Sequence, residues 1–376
     1  MAVNAMTVSA GEALDILRAG WTAQKTGALT TSWMLHGRPG VGKTQIVTAL
    51  AQEIGARLFD LRLTTIEPQD LRGLPYYDHE RRRTIWYRPE DLPDAPDRPS
   101  VLFLDELTAA PPHLQPTVYG LLQERRVGQH RLPDAVFVVA AGNTVEDGAI
   151  AYEMGMGLSD RLVHVTVAAS ATDWLERYAV PHRLDPAVIA FVKSRPDLLE
   201  TTASALDRGQ MIAATPRSWE KASAIMAALA DRPSDRRLRN AMLAGTLGEE
   251  VAAEFILIAD EIAATVQVAQ MLQTPRRARR ALYPDSMHGL NALLYGLVAA
   301  LSAETLGPVV ETLADIRDLA KTRPEPVFAR LPLAELTTYG FEILIRRGLE
   351  MGLGEAFLAD PSYRAYAKER EALGLA

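Results

Sequence analysis

Short apolar segments alternate with helix-like segments between about residue 30 and residue 170. Apolar runs rich in Val, Leu, Ile or Phe, each about as long as a strand, occupy residues 32–37, 56–63, 100–107, 135–142 and 161–167. Runs that are apolar almost throughout are typical of strands in a parallel sheet that is covered by helices on both faces. The segments at 44–55 and 113–126 have apolar residues at helical spacing. This alternation predicts an α/β core with a five-stranded parallel sheet.

The pattern changes after about residue 170, where Ala- and Leu-rich segments with helical spacing follow one another. We therefore predict an α/β domain over residues 1–170, an all-α domain over residues 171–272 and a C-terminal helical extension over residues 273–376. The most apolar later segment, residues 290–301, is shorter than the ~18 apolar residues that a membrane span needs. It predicts a buried helix, and we expect no membrane span.

Composition and charge narrow the classes of function. The chain has 48% hydrophobic and 23% charged residues, which excludes a disordered chain and a coiled-coil rod. It has no cysteine, which excludes disulfides, thiol nucleophiles and Cys-bound zinc and favours a cytoplasmic location. The net charge of −7 argues against an extensive nucleic-acid-binding surface but leaves a local basic channel open.

One glycine-rich segment matches the pattern G-x-x-x-x-G-K-[ST] between a predicted strand and a predicted helix. Its residues are Gly37, Arg38, Pro39, Gly40, Val41, Gly42, Lys43 and Thr44. Glycines let successive backbone N–H groups turn toward phosphates, and the start of the helix adds partial positive charge. We expect Lys43 to reach the β- and γ-phosphates of a nucleotide and the Thr44 hydroxyl to bind Mg²⁺.

Polar residues adjoin three other predicted strands. Asp105 and Glu106 end the strand at 100–107; we expect Asp105 to hold Mg²⁺ and Glu106 to activate the attacking water. Asn143 follows the next strand and would lie level with Glu106 if the two strands are neighbours, although it could simply begin a turn. Arg161 precedes the last strand. It could reach the γ-phosphate of a neighbouring subunit or pair with an acid on the surface.

Together these segments resemble the AAA+ ATPases, and within them the MoxR-type branch, over about residues 10–260. The Walker A, Walker B, sensor 1 and arginine-finger segments are represented by GRPGVGKT, VLFLDE, AAGN and SDRLVHV. The segment from Thr215 to Ser218 resembles sensor 2 in a helical lid, so Arg217 is expected to contact the γ-phosphate. The resemblance implies ATP and Mg²⁺, a ring that most often has six subunits, and catalytic roles for Glu106, Asn143, Arg161 and Arg217.

Two further segments resemble inserts of the same branch. Residues 67–87 resemble the helix-2 insert, and residues 123–133 resemble the hairpin before sensor 1. The aromatic pairs that flank a polar tip at 76–87 also predict a hairpin directly. In the family these loops face a central pore, so we expect contacts with a substrate or partner near 73–87 and 124–133, the alternative being ordinary hairpins. The branch includes activase-like proteins partnered with von Willebrand A-domain proteins, and such a protein is a candidate partner.

Protein remodelling by an ATPase is the leading hypothesis, and three other functions stay open. Arg-rich runs at 81–83, 236–239 and 276–280 leave open a nucleic-acid-remodelling ATPase, although a solvated helix face or a subunit contact is the preferred interpretation. A nucleotide-gated scaffold with little turnover is a second alternative. A small-molecule kinase is a third, disfavoured because a kinase does not need a water-activating residue such as Glu106.

Overall fold

The computed structural model describes residues 3–143, 159–230 and 235–372. The chain separates into two compact units. The first comprises the chain up to Trp174 with Glu200–Met211 and Thr215–Arg217, and the second comprises Leu175–Leu199, Ile212–Ala214 and the chain from Ser218 onward. The predicted division into domains 1–170, 171–272 and 273–376 stays a prediction. Its first domain includes residues 144–158, which lie outside the described residues.

All five predicted strands form and lie side by side in one parallel sheet. They are β2 (Ser32–His36), β3 (Arg57–Arg62), β6 (Ser100–Asp105), β9 (Val136–Gly142) and β10 (Leu162–Val167). A sixth strand, β1 (Thr7–Val8), pairs in parallel with β10, and the order is β1-β10-β2-β9-β6-β3. The prediction of five strands was wrong by one. A two-residue strand carries no periodic pattern of its own and forms because it pairs with the edge of β10.

Helices and short turns pack around this sheet in the first unit. They are α1 (Ala10–Lys25), α2 (Lys43–Glu53), α3 (Pro68–Arg72), a 3₁₀ turn (Leu107–Ala109), α4 (Gln115–Glu124) and α5 (Ala171–Trp174). Successive residues of a strand point to opposite faces, so Phe103 lies in the buried cluster that includes Leu50 of α2. Leu102 lies in the other buried cluster, with Leu121 of α4. Burial on both faces explains why the central strands are apolar throughout.

Two antiparallel hairpins extend from the first unit. The first pairs β4 (Pro75–Asp78) with β5 (Arg83–Trp86), and the second pairs β7 (Arg126–Val127) with β8 (His130–Arg131). Both lie where the sequence predicts hairpins.

Every regular element that the structure describes from Leu175 to Ala372 is helical. The helices of eight or more residues are α6 (Pro186–Ser194), α8 (Pro216–Ala228), α9 (Arg236–Leu247), α10 (Glu249–Thr265), α13 (Met287–Ala299), α14 (Leu306–Ile316), α16 (Leu333–Glu350) and α18 (Pro361–Ala372). The shorter ones are α7 (Thr202–Asp207), α11 (Val268–Gln273), α12 (Arg276–Arg279), α15 (Leu319–Thr322) and α17 (Gly354–Ala359), with a π-helical turn at Leu175–Ala179 and 3₁₀ turns at Pro196–Leu198, Arg280–Leu282 and Pro326–Arg330.

Aromatic and aliphatic side chains form the core of the second unit. The rings of Phe191, Trp219 and Phe255 pack with centroid separations of 5.2–5.5 Å. Most of α13 is buried, as the sequence predicts for residues 290–301. No helix in the described ranges is long and apolar enough to cross a membrane.

A buried arginine joins α12 to α14 in this unit. Arg279 is only 3% exposed, and its guanidinium donates to Glu311 at 3.0 Å, to the Thr312 hydroxyl at 2.7 Å and to the Met271 carbonyl at 2.9 Å. Arg276 forms an ion pair with Asp315 at 2.5 Å. The interpretation of the run at 276–280 as a solvated helix face was therefore wrong for Arg279, because α14 supplies acceptors that are 32 and 33 residues away in sequence.

Arg279→Ala is expected to lower the free energy of unfolding of the second unit by about 3 kcal/mol, because Glu311 and several buried oxygens lose their donor. Arg279→Lys should restore only part of this, since an ammonium lacks the planar fork of a guanidinium. Exposed Arg277 provides the control, and Arg277→Ala should change stability by less than ~0.5 kcal/mol. Urea denaturation followed by circular dichroism measures all three. Equal losses for Arg277→Ala and Arg279→Ala would contradict the assignment.

Candidate functional site

The glycine-rich loop connects β2 to α2, as predicted. Gly40 and Gly42 have φ values of +85° and +106°, a region in which residues with a Cβ are strained. A Cβ on Gly40 would also lie 2.7 Å from the Thr215 hydroxyl oxygen. Glycine is therefore required at position 40 for two reasons: the backbone conformation and the lack of space for a Cβ atom. The resulting turn brings Lys43 and Thr44 to the first positions of α2.

Lys43 is buried within this loop, with 9% of its surface exposed. Its ammonium donates to the carbonyls of Gly37 at 2.5 Å and Arg38 at 3.0 Å, and to Asn143 Oδ1 at 2.8 Å. A buried ammonium is stable only with such acceptors. The arrangement holds a positive charge inside the loop and connects it to the end of β9.

Thr44 and Asp105 approach each other at the carboxyl end of the sheet. Thr44 Oγ1 lies 3.5 Å from Asp105 Oδ2. A hydroxyl and a carboxylate are the hard oxygen ligands that Mg²⁺ takes beside the phosphates of a nucleotide. These two residues therefore fit the metal predicted for this position.

Glu106 has an unusual backbone conformation and two partners that the sequence did not indicate. Its φ and ψ are +60° and +33°, a left-handed conformation that is uncommon for residues other than glycine and is often found at functional sites. Its carboxylate accepts a short hydrogen bond from the Thr64 hydroxyl and lies 3.8 Å from Arg62 Nε. Both partners lie at or just beyond the end of β3, the strand next to β6. Nearby on β3, desolvation and the charge of Asp105 raise the pKa of Asp60, opposed by Arg62.

Asn143 lies at the end of β9, which is hydrogen-bonded between β2 and β6. The sequence predicted that Asn143 lies level with Glu106 if their two strands, β9 and β6, are neighbours, and they are. Its side chain accepts from Lys43, and its backbone N–H and C=O are both hydrogen-bonded to the Thr108 hydroxyl, at 3.0 and 2.8 Å. The sequence did not predict a role for Thr108 either, because nothing in the residues around it distinguishes it.

Glu200 and Arg217, both in the first unit, contact the glycine-rich loop. Arg38 forms an ion pair of 2.6 Å with Glu200, and the backbone N–H of Arg217 donates to the Gly40 carbonyl at 3.3 Å. Arg217 is exposed. The structure thus brings Arg217 to the loop by its backbone, while Glu200 is a further neighbour of the loop that the sequence did not predict.

Arg161 is the one predicted site residue at the opposite edge of the sheet. Leu162, which follows it, pairs with Ser32 at the start of β2, whereas the glycine-rich loop begins after the end of β2. Four residue steps along a strand separate these edges by about 13 Å. The Arg161 guanidinium donates to Gln123 Oε1 at 2.7 Å. Arg161 is therefore separated from the other site residues of its own chain.

The two hairpins are joined to each other through Arg72. Its guanidinium lies 4.8 Å from the centroid of the Trp86 ring in the first hairpin, and its carbonyl lies 3.2 Å from His130 Nε2 in the second. In the first hairpin, Tyr77 and Tyr87 are each 63% exposed. The hairpins thus form a connected surface with exposed aromatic rings.

Comparison with known proteins agrees with this architecture. Residues 32–158 match the profile of the AAA domain, dynein-related subfamily. The chain is 40% identical to ATPase family gene 2 protein homolog B of Mus musculus over 115 residues, which make up 31% of this chain and 13% of the mouse protein. It is 31% identical to the uncharacterized protein YeaC of Bacillus subtilis over 118 residues, 30% of this chain and 35% of that protein.

The chain thus spans well under half the length of these curated relatives. Among solved structures it is similar to the RuvB Holliday junction branch migration motor of Thermotoga maritima, with 15% identity and a TM-score of 0.33 over 81% of this chain and 87% of that one. Residues 32–158 thus match an AAA domain, and the first unit, with its parallel sheet, has the P-loop NTPase fold of such domains.

Proposed function

We propose that this protein is a Mg²⁺-dependent ATPase of the MoxR type that works in the cytoplasm as a ring, most often of six subunits, and remodels a protein partner. The observation that carries the ATPase proposal is the convergence of Lys43, Thr44, Asp105, Glu106 and Asn143 at one edge of the sheet, linked through Lys43–Asn143 and Thr44–Asp105 contacts. That set supplies a cation, two metal ligands, a general base and a polar amide, which are the groups that one subunit must contribute to phosphoryl transfer to water.

Each residue has a role that follows from its chemistry. Thr44 and Asp105 would hold Mg²⁺, which would supply positive charge that stabilises the phosphates of ATP. Lys43 would exchange its hydrogen bonds to the loop carbonyls for contacts with the phosphates. Glu106 accepts a proton from the water that attacks the γ-phosphorus, and ADP leaves as the β–γ P–O bond breaks. Asn143 orients the water, and Arg217 contacts the γ-phosphate.

Arg161 is assigned to the site of a neighbouring subunit. At the opposite edge of its own sheet it is separated by about 13 Å from its own loop, and a guanidinium supplied by a neighbour can stabilise charge on the γ-phosphate. This assignment makes the site incomplete in a single subunit and motivates the ring.

The partner proposed for the hairpins is a protein, with a von Willebrand A-domain protein as one candidate. Exposed Tyr77 and Tyr87 offer apolar contact area of the kind that protein interfaces use. Nucleic acid is the less favoured partner, because Arg81 and Arg83 lie 4.0 and 3.6 Å from Asp78 and Arg276 and Arg279 are paired within the second unit. The scaffold and kinase alternatives are disfavoured by Glu106, since neither requires a water-activating base.

Lys43→Ala should abolish ATP binding, because the loop loses its only buried ammonium, whereas Glu106→Gln should retain ATP binding and lose turnover, because only the base is removed. Fluorescent-nucleotide titration and a phosphate-release assay with Mg²⁺ measure the two properties. Turnover close to the wild-type rate in Glu106→Gln would show that another group is the base. Tight binding with negligible turnover in the wild type would favour the scaffold.

Mixing two inactive variants tests whether Arg161 acts between subunits. Arg161→Ala should bind ATP normally and hydrolyse it ~10³-fold more slowly or worse, and Glu106→Gln should be inactive for lack of a base. In mixed rings some sites combine an intact Glu106 with an intact Arg161 from the neighbour, so part of the activity should return. Native mass spectrometry establishes that rings are mixed. Mixed rings without recovery would place Arg161 in a structural role.

The partner proposal is tested with Glu106→Gln as bait, since it should hold the ATP state. A von Willebrand A-domain protein, or another client, should be retained with ATP and lost in the double variant Glu106→Gln/Tyr77→Ala. Leu257 is 74% exposed on α10, and Leu257→Ala in the same bait is the matched control that should keep the client. A client that is still retained by the Tyr77→Ala variant would contradict a protein partner on this hairpin. Loss of the client after nuclease treatment of the bait complex would also contradict it.

A further inference from the structure

Thr108 connects two parts of the proposed ATP site that are 35 residues apart in sequence. Its hydroxyl donates to the Asn143 carbonyl at 2.8 Å and accepts from the Asn143 N–H at 3.0 Å. A single side-chain oxygen thus pairs with both backbone polar groups of the residue proposed to orient the water. The backbone of Asn143 is thereby tied to a defined point on another loop.

That point belongs to the turn that begins at Glu106. The Glu106 N–H donates to Asp105 Oδ1 at 2.9 Å, and the Glu106 carbonyl accepts from the Ala109 N–H at 3.0 Å. These bonds hold the left-handed conformation of Glu106, which otherwise costs ~1–2 kcal/mol. Thr108 lies inside this turn, so its bonds to Asn143 connect the backbone turn at Glu106 to the end of β9.

The approach of Thr108 to β9 depends on the absence of a side chain at Gly142. A Cβ on Gly142 would lie 2.6 Å from Thr108 Oγ1 and 2.9 Å from Met34 Cε, closer than such atoms can come. On the other side of Asn143, the amide oxygen accepts from Lys43. Contacts therefore run without a gap from the Glu106 turn through Thr108 and Asn143 to the glycine-rich loop.

We propose that Thr108 is a positioning residue for hydrolysis, which sets the distance between Glu106 and the Asn143 amide by bonding its hydroxyl to the Asn143 backbone. This inference rests on the proposed ATPase function. In this proposal Thr108 acts through Glu106 and Asn143, the two residues to which the attacking water is assigned. Because a misplacement of ~1 Å can reduce a rate about 10²-fold, losing the hydroxyl should affect turnover, whereas ATP binding, which depends mainly on the loop and Lys43, should be preserved.

Thr108→Val removes the hydroxyl and keeps the shape of the side chain. We expect kcat to fall about 10- to 100-fold, while KM and the Kd of a fluorescent ATP analogue stay within about threefold. Thr108→Ser keeps the hydroxyl and should retain kcat within about threefold. The matched control is Thr22→Val, which removes a hydroxyl that donates to the Arg18 carbonyl at 3.0 Å on α1; it should leave both parameters unchanged.

Two measurements separate positioning from a general loss of structure. Binding of ADP with aluminium fluoride, which mimics the transferring phosphoryl group, should weaken in Thr108→Val about as much as kcat falls, and not in Thr108→Ser. In an Asn143→Ala background, Thr108→Val should cost much less than it does alone, because the amide that it positions is absent. If Thr108→Val does not fold, Thr108→Ser and Thr108→Ala, which differ by one hydroxyl, provide the same comparison.

The outcomes distinguish this inference from the function on which it rests. Wild-type hydrolysis that is lost in Glu106→Gln but unchanged in Thr108→Val would overturn the role of Thr108 alone. Equal losses in Thr108→Ser and Thr108→Val, or additive losses with Asn143→Ala, would show a packing role and also overturn it. Absence of hydrolysis in the wild type would overturn both proposals.

Discussion

The parallel alignment of β2, β9 and β6 is the constraint on which the proposed site depends. Because the three strands run in the same direction, the glycine-rich loop, Asn143 and the Asp105–Glu106 pair all follow carboxyl ends at one edge of the sheet. If β9 ran in the opposite direction, Asn143 would lie at the far edge and could not reach Lys43. The same rule places Arg161, which precedes its strand, at the other edge.

Burial of the sheet on both faces fixes the carboxyl ends of its strands firmly enough to hold Glu106 in a strained backbone conformation. Phe103 and Leu102 lie in separate apolar clusters on opposite sides of β6, so the strand is fixed by packing from both directions. Strained backbone conformations persist where the surrounding structure over-determines them. The left-handed Glu106 directly follows this strand, and the Asp105 and Thr108 contacts hold it further.

Some arginines of the second unit form ion pairs within that unit. Arg239 forms an ion pair with Asp260 between α9 and α10, at 2.7 Å, and Arg279 is buried against α14. Arginine side chains that stabilise helix packing in this way are not available to neutralise phosphates along a nucleic-acid backbone. The number of arginines in the sequence therefore overstates the basic surface of this unit.

The sequence alone was sufficient for features set by local residue patterns. The glycine-rich loop, the five longer strands, the two hairpins and the carboxylate pair each follow from residues within about ten positions of one another, because backbone conformation and strand burial have local causes.

Contacts between residues that are far apart in the sequence could not be predicted from such local patterns. β1 pairs with a strand about 160 residues away, Thr108 bonds to Asn143, Thr64 to Glu106 and Arg38 to Glu200. Single Thr and Glu residues are common in every structural context, so only the packing of the sheet and its loops selects which of them reach the site. The burial of Arg279 was decided in the same way, since its acceptors lie on a helix more than 30 residues further along.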